Sequence, residues 1–179
     1  MRDSDGLRSL ADTLAVPFMK EKTLRYPGHV ELMRVLRETG FFSKEPLTIA
    51  GQAVRPLDAT AALLFPKWTF AEGEPDLTVL RVRAEGRRDG ERRVMLWDLL
   101  DRYDEAAGLR SMSRTTAFPA TIVARLLAEG RFHRPGVNPP EALGAEPGLL
   151  EVVLERLEAR GVRCRFTMEP VVEPALALA

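Results

Sequence analysis

Two stretches gather the cations, hydroxyls and backbone breakers that anion binding needs. In KTLRYPGH, Lys22 to His29, Arg25 and Tyr26 precede a Pro27-Gly28 pair that shapes the backbone so that a guanidinium can meet a substrate carboxylate. The plainer alternative is a turn into a helix, with Tyr26 packed and Arg25 paired to an acid. His29 belongs to the residue type best suited to acid-base work near neutrality, yet a histidine at a helix start more commonly faces solvent. In RSMSRTTAFPA, Arg110 to Ala120, the hydroxyls of Ser113, Thr115 and Thr116 lie beside Arg114 at what reads as a helix amino terminus. Free backbone amides there, with the guanidinium, make a pocket for an amino-acid carboxylate or a cofactor phosphate. The same threonines are also ordinary helix caps, and a cap can lie at a site. The substrate-binding candidates are Arg25, Tyr26, Arg114, Thr115 and Thr116, and no catalytic residue is assigned.

The other chemistry-bearing residues read as structural. Asp98, Asp101, Asp104 and Glu105 have no EF-hand spacing, and the first two fall on a strand, so all four are expected to be solvated charge. Trp68, Phe70 and Trp97 are expected in the core or at a dimer face, and Arg87, Arg88, Arg92 and Arg93 at a solvated hairpin tip. Cys164 is the lone cysteine and is expected in the core; with only two histidines, no metal-binding spacing arises.

The elements that must position these residues follow from pattern. A chain of 179 residues, 45% hydrophobic and 29% charged, reads as one α/β domain or one and a fraction. Basic and acidic residues are both 26, with no long cationic block, which argues against a nucleic-acid partner. No apolar run reaches the roughly 18 residues of a membrane span, and the first residues lack the features of a signal peptide, so a cytoplasmic protein is expected.

From His29 to Phe42, Leu32, Val35, Leu36 and Thr39 recur at helical spacing, with Gly40 as a stop. LTIAGQAV reads as a short hairpin around Gly51, and Pro56 opens a helix expected to end at Pro66. The strongest signal is LTVLRVRAEG and ERRVMLWDLLDRY about Asp89-Gly90, which predicts a long antiparallel hairpin. Its second strand carries apolar residues on both faces, Val94, Leu96 and Leu100 against Met95, Trp97 and Leu99, so that one face serves the core and the other a partner. A helix is predicted from Thr115 or Thr116 to Glu129, a short turn over Pro140 to Leu143, and a last helix over Pro147 to Arg160 carrying Leu149, Leu150, Val153, Leu154 and Leu157 on one face. VRCRFTM then alternates as a half-buried strand. The fold class is α/β of the α+β kind: a mixed or largely antiparallel sheet with a long hairpin, helices packed on one face, and no complete Rossmann domain. Residues 1–168 are expected to form the domain, truncated at its start, and residues 169–179 a loosely ordered tail.

KTLRYPGH, AVRPLDATAALLFPKW, DLLDRYDEAAGLRSMSRTTAFPATIVARLLAEG, PGVNPPEALG and LLEVVLERLEARGV, in that order, resemble the carboxyl-terminal part of the saccharopine dehydrogenase-like oxidoreductases, nearest the lysine 6-dehydrogenase branch. The resemblance implies an enzyme that oxidises an amine carbon of lysine or of a lysine adduct such as saccharopine, with NAD or NADP held by an amino-terminal Rossmann domain. It implies an amino-acid substrate, and often a homodimer built by the second domain. No GxGxxG occurs, and a dinucleotide site needs such a turn for the backbone to approach the pyrophosphate. The expectation is a substrate-binding and dimerisation domain that holds no cofactor itself and is inactive alone, as a fragment, a shortened product or one half of a split enzyme whose Rossmann domain is a separate chain. A non-enzymatic homodimeric interaction module is the alternative.

Overall fold

The computed structural model describes residues 7–171, and the chain divides into two compact units, Met1–Glu72 and Gly73–Ala179. The first unit holds α1 (Leu10–Thr13), α2 (His29–Glu38), β1 (Leu47–Ile49), β2 (Gln52–Val54) and α3 (Pro56–Trp68). Gly28 caps α2 at φ 86°, where a side chain would be strained, and Gly40 at φ 88° ends it. β1 and β2 form the expected antiparallel hairpin about Ala50 and Gly51. Pro56 does occupy the first position of α3, but the helix does not stop at Pro66. It runs on to Trp68, because a proline this near the end removes one hydrogen bond while the Thr69 amide still closes the turn on Phe65 O at 3.0 Å. Thr60 is buried and donates to Phe41 O at 2.9 Å, tying α3 to the segment after α2. Among the described residues of this unit only Leu7 and Thr60 are buried; Leu32 and Val35 on the apolar stripe of α2 remain 65% and 59% exposed.

The second unit holds β3 (Leu77–Arg88), β4 (Glu91–Arg102), α4 (Ser111–Ala128), α5 (Pro140–Gly144), α6 (Leu149–Glu158) and β5 (Cys164–Pro170). Its sheet is antiparallel throughout, in the order β3-β4-β5. Asp89 at φ 53° and Gly90 at φ 83° make the tight turn that the Asp-Gly pair predicts. Nothing crowds Gly90, so Gly90→Val should lower stability through backbone strain alone, by about 1–2 kcal/mol, read as a shift in the urea midpoint at unchanged slope.

Register sorts the sheet into two faces. One carries Arg81 opposite Asp98, joined by two bonds of 2.5 and 3.1 Å, with Arg165 facing Asp98 from β5. The Arg81 guanidinium holds the Asp98 carboxyl below its usual range. A lowered acid stabilises the fold above its unfolded value and loses that contribution as pH falls; here the pair is exposed, and salt screens it. The other face is apolar: Leu80, Leu99 and Cys164 form one cross-strand row, Val82, Trp97 and Phe166 the next, and Ala84, Met95 and Met168 a third. The Trp97 and Phe166 rings lie 4.6 Å apart at 40°. Cys164 is only half-buried, and burial, then the Asp98 charge, pushes its thiol up.

The core of this unit lies among the helices. Ile122 and Leu126 of α4 have no exposed surface and meet Phe132, Leu143 of α5 and Leu149 of α6, with Val152, Val153 and Leu157 packed around them. Leu150 does not join the face expected of it; it is 39% exposed, and Val152 stands on the packed side instead. β5 continues through Pro170, so the tail expected from residue 169 is strand at its first two residues. Residues 172–179 of that tail lie outside the described residues.

Candidate functional site

Arg25 and Tyr26 stand together in the turn ahead of α2, where the Tyr26 carbonyl accepts the His29 amide at 3.2 Å. Tyr26 is not packed; it is 81% exposed, and Arg25 is exposed beside it. The pair is open to an incoming carboxylate within the first unit.

The three candidates on α4 lie in the second unit, in a setting that differs from expectation. The helix begins at Ser111, not at Thr115 or Thr116. Both threonines are therefore inside the helix: Thr115 Oγ1 donates back to Ser111 O at 2.9 Å, and Thr116 is exposed with its hydroxyl 4.0 Å from Met112 Sδ. Of the amides that a helix start leaves free, those of Ser111 and Met112 meet an anion of the chain itself. Asp76, just before β3, accepts from Ser111 N at 2.6 Å with one oxygen and from Met112 N at 2.9 Å with the other. Ser111 Oγ adds a bond to Thr78 Oγ1 at 2.9 Å. A carboxylate does stand at this helix start, as the dipole favours, but it is the chain's own; sequence reasoning missed Asp76, because a cap 35 residues distant leaves no local signal. Asp76→Ala should cost about 1–2 kcal/mol, as other lost caps do, and thermal melting will read it.

Arg114 turns inward and is 6% exposed. One terminal nitrogen bonds Asp104, and the other lies 3.3 Å from Asp101 Oδ1 and 3.2 Å from the carbonyl of Arg160. Asp101 is itself 4% exposed. This corrects the expectation that the acids of this region are all solvated, since Asp101 is one of four buried polar residues among those described. The remaining oxygen of Asp101 and the Nε of Arg114 are buried without partners. Around this hub stand the guanidiniums of Arg114 and Arg160, each 6.0 Å from the Phe118 ring. Gly161 at φ 78° lets the chain pass close, for a Cβ there would sit 3.2 Å from Arg114 Nη2. The hub thus joins the base of the hairpin, the first turn of α4 and the end of α6. A guanidinium so committed orders its neighbours; it has little left to offer a ligand.

The geometry therefore defines an α+β domain whose helix α4 is pinned to an antiparallel sheet by an internal anion cap and a buried ion-pair hub. The family model for the saccharopine dehydrogenase C-terminal domain matches residues 3–162, and the chain belongs to that family. It is 28% identical over 155 residues to carboxynorspermidine synthase of Vibrio cholerae serotype O1, covering 81% of this chain and 36% of the relative. The carboxynorspermidine synthase of Vibrio alginolyticus is 31% identical over 126 residues, 68% of this chain and 30% of the relative. Saccharopine dehydrogenase [NADP(+), L-glutamate-forming] of Schizosaccharomyces pombe is 28% identical over 133 residues, 74% of this chain and 28% of the relative. The chain spans between 28% and 36% of the length of these relatives. No helix among the described residues is long and apolar enough to cross a membrane.

Proposed function

We propose that this chain is the substrate-binding and dimerisation part of a cytoplasmic NAD(P)-dependent oxidoreductase acting on an amine that carries a carboxylate. Lysine or a lysine adduct such as saccharopine is the first substrate class, as in the lysine 6-dehydrogenase branch; the two relatives named carboxynorspermidine synthase extend it to carboxylated polyamines. The observation that carries the reading is the family match across residues 3–162, in a sequence with no two glycines spaced as a dinucleotide turn requires. NAD or NADP is then held by chain outside these 179 residues or by a separate Rossmann chain.

In this reading Arg25 and Tyr26, in the first unit, are the contacts for a substrate carboxylate, and Thr116, exposed on α4 of the second unit, is a separate candidate contact. Arg114 and Thr115 act through position: they hold α4 so that the amine can be presented to the nicotinamide, and positioning is the domain's contribution to rate. A non-enzymatic homodimeric module is the second reading, favoured by the open apolar face of the sheet.

The test is to mix the chain with the unmatched portion of the Vibrio cholerae relative and follow NADPH absorbance with saccharopine and with carboxynorspermidine. Turnover that needs both chains, and that Arg25→Ala reduces at least about tenfold, the scale of one lost charge-assisted bond, is expected. No turnover with any of these substrates, in either redox direction, would count against the enzyme reading.

A further inference from the structure

Two polar atoms of the hub are left over, and they are of complementary kind. Asp101 Oδ2 is an acceptor and Arg114 Nε a donor, both buried and both without a partner among the described residues. They belong to groups already in contact: Asp101 Oδ1 lies 3.3 Å from Arg114 Nη2, and Nε shares an edge of the planar guanidinium with that nitrogen. The rest of the fork is occupied, since Nη1 bonds Asp104 and Nη2 also donates to the Arg160 carbonyl at 3.2 Å. A third polar group stands beside the two orphans. Thr78 is the cross-strand partner of Asp101 in the register of β3 and β4, which sets the two side chains next to each other on one face. Its Oγ1 accepts from Ser111 Oγ at 2.9 Å, so its own hydrogen is left for another acceptor.

We infer that one internal water molecule completes the hub, accepting from Arg114 Nε and from the Thr78 hydroxyl and donating to Asp101 Oδ2. The count of donors and acceptors selects water over other small ligands. A cation would face the N–H of Arg114 and the hydrogen of Thr78, and an anion would face the carboxylates of Asp101 and Asp104. A neutral group that both donates and accepts satisfies all three atoms. The surroundings also limit its size, for Asp101, Ser111 and Arg114 are 5%, 0% and 6% exposed. Three hydrogen bonds to buried polar groups are the ordinary holding of an internal water. The molecule would tie the base of the hairpin to the first turn of α4 through one continuous network.

The test reads the water at a single atom. In the 15N-labelled full chain, the Arg114 Nε–H resonance, assigned by its loss in Arg114→Lys, should show a rotating-frame Overhauser cross-peak to the water line with the sign of dipolar transfer and not of exchange. A second readout is the number of long-lived waters, from the magnetic relaxation dispersion of solvent 17O. A chain of 179 residues holds on the order of seven, and Arg114→Met combined with Asp101→Leu should hold about one fewer. If that double variant does not fold, the cross-peak alone decides. An absent dipolar cross-peak, an unchanged count in the folded double variant, or a through-bond coupling from Arg114 Nε to the Asp101 carboxylate carbon, which marks a direct bidentate pair, would overturn the proposal. Neither substrate nor cofactor is needed, so its outcome is independent of the NADPH test.

Discussion

Arg114→Met is expected to destabilise the second unit by about 3–5 kcal/mol, the usual consequence of removing one partner from a buried ion pair. Methionine replaces the stem but none of the donors. Asp101, 4% exposed, would keep its charge with no partner, and Asp104 would lose its bond. The Arg160 carbonyl would lose its donor at the same time. The loss should appear in urea unfolding followed by Trp97 fluorescence in a Trp68→Phe background. Arg114→Met combined with Asp101→Leu should recover most of it, because an apolar pair of similar volume often matches a buried ion pair, and the double-mutant cycle isolates the coupling. Equal stability of wild type and Arg114→Met would mean that the hub does not hold α4.

Leu126→Ala should be the next largest, about 2–5 kcal/mol. The residue has no exposed surface and stands among Phe132, Leu143 and Leu149, so truncation leaves a cavity that two helices and a loop would have to close. Alanine is the better helix former, so any loss is packing and not propensity. Its neighbour Leu127, 50% exposed, supplies the control: Leu127→Ala should stay within about 0.5 kcal/mol of wild type. Similar losses at both positions would place the core elsewhere.

Local rules made the periodic elements legible. The Asp89-Gly90 turn, the alternation of Cys164, Phe166 and Met168, and the stripe of α2 each appear where spacing and turn chemistry put them. What pattern could not reveal was long-range pairing. The start of α4 is set by Asp76, and the burial of Asp101 by an arginine of the next element, so both looked like ordinary polar residues in their own neighbourhoods. Periodicity also finds an apolar face without finding what covers it. Leu32 and Val35 have the predicted spacing and stay exposed. In the candidate site the sequence singled out Arg114, but as a cation facing a ligand. Its partners, and with them its role in position, come from the tertiary structure.

The central claim, that these residues hold the carboxylated amine while the nicotinamide cofactor is held elsewhere, is tested most directly by isothermal titration of the chain with saccharopine, carboxynorspermidine, lysine, NADH and NADPH. Saturable heat is expected from at least one amine, lost in Arg25→Ala, and none from either dinucleotide. Saturable binding of NADPH or NADH, or silence toward every amine, would contradict it.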